Sequence, residues 1–305
     1  MKTAVIVNPT AGRGLAGRRI EPVLRAFDRC GVRAELFETR LRGDAVSLAR
    51  SASADFDVVV VVGGDGTVHE TASGLCASGG HAALAVIPSG SGNDFAKVLR
   101  MPSRPARAVE AILASPVHPV DVGVVTVTDD DGELRDGLFI NAFGIGFDSV
   151  VAERASRSRK VRGTLGYLSV ALRTLAGWTP IRMAVSSPDW HREGSTLLVT
   201  LGNGTCSGGG FYLTPEASVT DGLLDFCHVA GISAARMLLL LPRVLWGGHL
   251  NARPVTYFKT ASALIESAVP VPVHLDGEIL SNKARRVVIK VRAGALSVRA
   301  PLGGT

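Results

Sequence analysis

Five consecutive valines at positions 58–62 run directly into the octapeptide GGDGTVHE at residues 63–70. A strand that is apolar at every position is buried on both faces, the situation of a parallel sheet covered by helices on each side. The glycines therefore fall where the strand turns into its following helix, and there the N–H groups of a first helical turn can face an anion. Gly63, Gly64 and Gly66 allow the close approach that a side chain would block. Thr67 and Glu70 have capping-box spacing, which places the helix start at the loop. Asp65 stands inside the same turn. A carboxylate among phosphate-binding amides repels the ligand unless a divalent cation lies between them, or unless it accepts hydrogen bonds from the loop itself.

Strand and helix signals alternate through the first third of the 305 residues: strands at 3–7, 33–37, 58–62 and 83–87, helices at 16–29, 44–53 and from 68 onward. This order predicts a parallel α/β sheet whose ligand lies beyond the carboxyl ends of the strands. Three polar or glycine-rich segments fall at those ends, residues 8–14, 63–67 and 89–94. After about Asp121 the texture changes to short β-like runs separated by turn clusters: DDDG at 129–132, GNGTCSGGG at 202–210 and HLDGE at 274–278. Regular turn signals of this kind predict an antiparallel β-sandwich. Helical spacing at 163–176 and 233–246 adds two helices packed on or beside it. The expected domains are 1–121 and 122–305, since a chain of this length exceeds the usual single-domain range.

Gly12, Gly14 and Gly17 have dinucleotide-fingerprint spacing, with Glu35 or Glu38 placed for a ribose. Asn8, Pro9, Thr10 and Ala11 intervene between strand and first glycine, however, where that fingerprint begins its turn almost at once. A polar phosphate-facing loop is the better reading, and an NAD(P)-binding oxidoreductase the rival. No P-loop, kinase signature set or hydrolase elbow is present. PSGSGNDFAK at 88–97 repeats the strand, turn and helix of the valine segment. Asn93 or Asp94 is a helix N-cap on the simplest view; beside the first loop, Ser91 could contact phosphate and Asp94 could hold metal-bound water or orient an acceptor. Asp276-Gly277 between apolar runs signals a hairpin, a rigid mount for Asp276 and Glu278.

The four cysteines and seven histidines show no metal-ligand spacing, and the thiols read as reduced. The N-terminal apolar stretch is too brief for a signal peptide, and the apolar run at 237–246 is broken by Pro242 and Arg243. A cytoplasmic protein that touches a membrane from one side is expected. The net charge of +6 fits a polyanionic ligand or anionic bilayer. The basic run Arg154, Arg157, Arg159, Lys160, Arg162 lacks the aromatic interleaving that stacks bases, so no nucleic acid is expected.

NPTAGRG, GGDGTVHE, PSGSGNDFAK, GNGTCSGGGFYLTPEASVTDGLLD and HLDGE occur in order along nearly the whole chain. The sequence thereby resembles the bacterial diacylglycerol kinase family, related to sphingosine and ceramide kinases. The resemblance implies an NAD-kinase-like and diacylglycerol-kinase-like α/β nucleotide domain, a β-sandwich domain and an active site in the cleft between them. It implies an ATP-dependent kinase that phosphorylates a neutral lipid, diacylglycerol foremost, at the inner membrane surface; a kinase for a sphingoid base or another glycerolipid, or an NAD-kinase-like enzyme, is the runner-up among kinases, and a homodimer is left open. Carried over by position, Asn8, Pro9, Thr10, Ala11, Gly12, Thr39, Gly63, Gly64, Asp65, Gly66, Thr67 and Ser91 contact ATP. Ser91 departs from the family's usual threonine but keeps the hydroxyl. Glu278 becomes the proton acceptor and Asp276 its organising partner, with Asp65, Asp94 and Asp121 in a metal and water network. A structural Mg2+ is implied at Asp221, with backbone carbonyls near Ser218 and Leu223. Helices around 165–175 and 237–246, with Trp178, Trp190 or Trp246, are candidate lipid contacts.

Overall fold

The computed structural model describes residues 1–156, 163–175 and 177–303, and the chain divides into two units. The first comprises Met1–Val120 and Gly294–Thr305, the second Asp121–Ala293. The expected second domain of 122–305 thus differs at its end: the last residues return to the first unit.

Four parallel strands form the heart of the first unit: β1 (Thr3–Val7), β2 (Ala34–Glu38), β3 (Val58–Gly63) and β4 (Ala83–Pro88). Their order is β2-β1-β3-β4, and Val298 of β13 (Glu278–Arg299) pairs in parallel with Leu84 on the far side of β4. β1, β3 and β4 are buried at every position, whereas edge strand β2 is not, as the unbroken valine run requires. β2 and β3 flank β1, so right-handed crossovers put α1 (Ala11–Arg29) and α2 (Asp44–Ala52) on opposite faces. There α1 packs with α5 (Pro105–Ala114), and α2 with α3 (Asp65–Ser78). α4 (Asp94–Val98) follows β4. The order reverses between β1 and β3, the switch point beyond which ligands bind in open α/β sheets.

The second unit is antiparallel. It contains most of β5 (Val117–Asp129), then β6 (Leu134–Phe139), β7 (Ala142–Gly146), β8 (Ile181–Ser187), β9 (Trp190–Gly202), β10 (Leu224–Ala230), β11 (Val255–Thr260), β12 (Ser262–Leu275) and the greater part of β13. β9 and β12 each pair with β8 by their first half and with β7 by their second, so the sheet folds over one core. Phe139, Phe143, Val199, Phe226, Ile265 and Val287 fill that core. Helices α6 (Phe147–Ser156), α7 (Gly163–Leu175) and α8 (Ala234–Leu240) cover the outer face of β9 and β10, burying Val151, Val170 and Met237 against Leu198 and Val229. The helix expected over 233–246 is broken by Pro242 into α8 and a 3-10 segment, Leu241–Trp246. Of the basic run, Arg154 ends α6 in solvent; Arg157, Arg159, Lys160 and Arg162 lie outside the described residues.

Candidate active site

The three loops at the carboxyl ends of β1, β3 and β4 meet backbone to backbone. A Cβ on Gly64 would stand 3.0 Å from the Gly90 Cα, one on Gly90 closer still to the Gly64 Cα, and one on Gly12 would collide with the Ser89 carbonyl. These glycines let the loops pack on each other; at Gly64, where the sequence suggests room for a ligand, the near neighbour is the Gly90 backbone. In the first loop the Asn8 carboxamide oxygen accepts from the Thr10 N–H at 3.1 Å and its hydroxyl at 2.8 Å, and Asn8 Nδ2 reaches Thr67 Oγ1 at 3.5 Å. Ala11 N–H donates to the Asn8 carbonyl at 3.0 Å and Gly17 N–H to the Pro9 carbonyl at 3.2 Å. Gly12, Arg13 and Gly14 are consecutively left-handed, so regular helix begins after them. Thr39 extends β2 by an N–H bond to the Val7 carbonyl at 2.9 Å, and Ser91 is exposed at the third loop.

α3 begins at Asp65, with Gly64 as N-cap, earlier than the capping-box spacing predicts. Glu70 turns instead to the Gly43 N–H at 3.0 Å. Gly64 offers no capping side chain, so the first-turn amides of Asp65, Gly66 and Thr67 keep the anion-binding character of a helix N-terminus. The Asp65 carboxylate leaves them alone: its oxygens accept the Asn93 N–H at 2.7 Å and the Asp94 N–H at 2.6 Å. Of the two ways to keep a carboxylate in such a turn, this is the hydrogen-bonded one, with the donors supplied by the neighbouring loop. Burial, then the nearby Asp94 carboxylate, push Asp65 up to about 6 against the opposing pull of those amides. Gly92 leaves space against both acids, since a Cβ there would stand 2.7 Å from Asp65 Oδ2 and 3.5 Å from Asp94 Oδ2. Converging carboxylates beside an open position fit the Mg2+ that accompanies a nucleotide.

Two cations escaped the sequence reading. Lys97 bonds Asp94 Oδ1 at 2.9 Å, legible only as an i, i+3 pair on α4. Arg19 donates to the Pro88 carbonyl and to Ser89 Oγ at 3.1 Å, and burial lowers its pKa. No local signal marks it.

In the second unit Asp276, at φ +52°, and Gly277, at φ +86°, make the two-residue turn that joins β12 to β13, with Leu275 opposite Glu278. Asp276 does more than turn. Its Oδ1 accepts the N–H groups of Asn141 and Ala142 at 2.9 Å each, and its Oδ2 that of Ile140 at 3.0 Å. The turn is thereby bolted to the β6–β7 connection, with Glu278, half-buried, at the first position of β13. Behind it, buried His274 accepts the Gly277 N–H on Nδ1 at 3.3 Å, which leaves the proton on Nε2, 3.4 Å from Asp148 Oδ2. Asp148 Oδ2 also accepts from the Thr200 hydroxyl at 3.0 Å. The sequence singles out His274 by no metal-ligand spacing and does not reveal this contact. Sequence reasoning missed Asn141 as well, and Asn203, whose Nδ2 donates to the Asp121 and Ile140 carbonyls at 2.8 Å each; the GNGT segment was the available clue.

Asp121 accepts the Gly222 N–H on Oδ2 at 2.7 Å, and its N–H donates to the Val219 carbonyl at 2.7 Å, fixing the SVTDGLL segment. At Asp221, where a structural Mg2+ is expected with Ser218 and Leu223, both carboxylate oxygens have protein partners. Asp221 Oδ1 accepts the Leu223 N–H at 3.1 Å and Oδ2 pairs with Lys259 Nζ at 2.5 Å. Lys259 Nζ also lies 3.7 Å from buried Asp225, directly across the β10–β11 ladder, so an ammonium supplies the positive charge. Of the tryptophans, Trp178 packs edge-on to Phe147 and Trp190 on Phe226; Trp246 alone of the three is exposed.

Residues 2–125 match the diacylglycerol kinase catalytic domain, and residues 141–300 match the YegS C-terminal NAD kinase beta sandwich-like domain. A Pseudomonas aeruginosa (strain UCBPP-PA14) protein named "Probable lipid kinase YegS-like" is 35% identical over 86% of this chain and 82% of its own. The diacylglycerol kinase of Bacillus subtilis (strain 168) is 30% identical over 91% of this chain and 90% of its own. A crystal structure of a diacylglycerol kinase from Bacillus anthracis str. Sterne has the same fold, with a TM-score of 0.75 at 24% identity over 98% of this chain and 96% of that one. Both halves of the chain and their order therefore agree: the protein belongs to the diacylglycerol kinase family and is a lipid kinase.

Proposed function

We propose that this kinase transfers the γ-phosphoryl group of ATP to the hydroxyl of diacylglycerol, giving phosphatidic acid and ADP at the cytoplasmic face of the inner membrane. The hydroxyl oxygen bonds to the γ-phosphorus while the bond from that phosphorus to the β,γ-bridging oxygen breaks; the hydroxyl proton passes to the Glu278 carboxylate. Positioning and charge neutralisation dominate such transfers. The first-turn amides of α3 hold the phosphates. Asn8, Pro9, Thr10, Ala11, Gly12, Thr39 and Ser91 flank the nucleotide, and Asp65, Asp94 and Asp121 form the acidic network. Asp65 and Asp94 would hold Mg2+, which would supply positive charge to offset that of the phosphates. Asp276 positions Glu278 through its grip on residues 140–142.

The observation that carries this reading is the β3–α3 turn, where the first-turn amides have no side-chain cap while the carboxylate among them is hydrogen-bonded to the next loop. Glu278→Gln tests the base: kcat should fall by roughly 10²- to 10⁴-fold with ATP binding unchanged. Retained turnover would remove Glu278 from the mechanism. The YegS-like name of the 35%-identical relative favours a second reading, in which another glycerolipid or a sphingoid base is the acceptor. Radiolabel transfer from ATP to a panel of lipids, with products resolved chromatographically, separates the two.

A further inference from the structure

Among the described residues ten large hydrophobic side chains are exposed, and four of them, Tyr212, Leu238, Leu239 and Trp246, belong to one neighbourhood. α8 buries Met237 and Leu240 against the sheet, so the intervening Leu238 and Leu239 stand in solvent, Leu239 at 74% exposure. The 3-10 segment that follows ends in Trp246, 66% exposed, and the Tyr212 N–H donates to the Val244 carbonyl of that segment at 2.8 Å. Core packing, which explains Trp178 and Trp190, does not explain these four. Arg236 and Arg243 are exposed beside them. Residues 230–254 contain three arginines and no aspartate or glutamate.

The geometry points to a docking surface for an anionic lipid bilayer, formed by α8, the 3-10 segment and Tyr212. This rests on the proposed use of a membrane lipid as acceptor and names the face that meets the membrane. Exposed apolar side chains on the same segments as two exposed arginines, with an amphipathic tryptophan among them, match a headgroup layer over acyl chains. A second copy of the chain is the poorer occupant. A two-fold pairing of this patch would bring the arginines of both copies into one interface, and residues 230–254 contribute no carboxylate to pair them. Among the described residues no helix is long and apolar enough to cross a membrane, so the contact is with one surface.

The test uses the full chain and phosphatidylcholine vesicles with and without phosphatidylglycerol, in the absence of ATP. The protein should co-sediment with the anionic vesicles, less so at high salt. Combining Leu238→Ser with Leu239→Ser should weaken partition by at least about tenfold, and each arginine changed to glutamine by about fivefold, the equivalent of roughly 1 kcal/mol per basic residue at such a surface. Lipids brominated in their acyl chains should quench the fluorescence, and Trp246→Phe, a mild change, should abolish that quenching even where the serine variant folds poorly. Quenching that survives Trp246→Phe, equal partition of folded variants, or a wild-type dimer that the serine variant splits would overturn the assignment. Transfer to a short-chain, water-dispersed diacylglycerol is followed separately. Absent transfer together with variant-sensitive vesicle binding sinks the proposed reaction and leaves the docking surface standing.

Discussion

Two of the five Asp-Gly steps of this chain, Asp65-Gly66 and Asp276-Gly277, adopt opposite backbones and yet use their carboxylates alike. Asp65 opens a helix after a parallel strand; Asp276 is left-handed in a hairpin between antiparallel strands. Each carboxylate accepts backbone N–H groups from a segment remote in sequence, Asn93 and Asp94 in one case and residues 140–142 in the other. They differ in charge environment. Asp65 has a second acid beside it and its pKa is raised, while Asp276 meets three donors at one end of the β6–β7 connection. The first carboxylate joins two loops; the second fastens the turn that carries the residue two positions on.

Asp276→Ala should break the comparison hardest, because it strips three amides of their acceptor at once. A loss of about 3 kcal/mol in chemical denaturation is expected, and kcat should drop more than KM changes, since Glu278 loses its mount. A stable variant of unchanged kcat would reduce the clamp to decoration. Asp65→Asn keeps one acceptor oxygen and should lose about 1–2 kcal/mol. Its pH profile carries the sharper information. A carboxyl whose folded pKa is raised from 3.8 to about 6 favours the fold when protonated, so metal-free wild type should lose stability as pH climbs through 4 to 6. The asparagine variant should be flat there, and Mg2+ should flatten the wild-type profile. Next come two glycines. Gly90→Ala drives a methyl onto the Gly64 backbone and should raise KM for ATP about tenfold; Gly277→Ala meets nothing within 4 Å and should cost only the roughly 1 kcal/mol of a left-handed alanine, seen as a small fall in Tm. Smallest is the response to chelation at Asp221. In the Asp65→Asn background, where the first site no longer answers to Mg2+, Tm should ignore EDTA, whereas adding Lys259→Met should lower it and regain part of the loss with added Mg2+.

The inner strands of the first unit were legible because a strand buried on both faces is apolar almost throughout, and β1, with Thr3 its single polar residue, β3 and β4 are. The Asp276-Gly277 hairpin was legible because its turn chemistry is local. The start of α3 was misread for the complementary reason: Thr67 and Glu70 satisfy a local rule, yet Glu70 finds Gly43 instead. Everything that holds the site residues in place lies far off in the chain. Asp276 is some 135 residues from its donors, and Lys259 is 38 from Asp221; no periodicity in a single sequence reports such pairs. His274 looked inert because its partner, Asp148, shares no spacing with it.

β13 crosses from the second unit back to the first, so β4 acquires its outer neighbour only from residues near 298. Arg299 adds bonds to the Ile112 and Leu113 carbonyls at 2.7 and 3.1 Å, stitching the returning strand to the end of α5. During synthesis the nucleotide half must therefore wait, with one sheet margin bare, until the whole inserted lobe has emerged from the ribosome. An isolated fragment of residues 1–120 should inherit that bare margin permanently and self-associate through it.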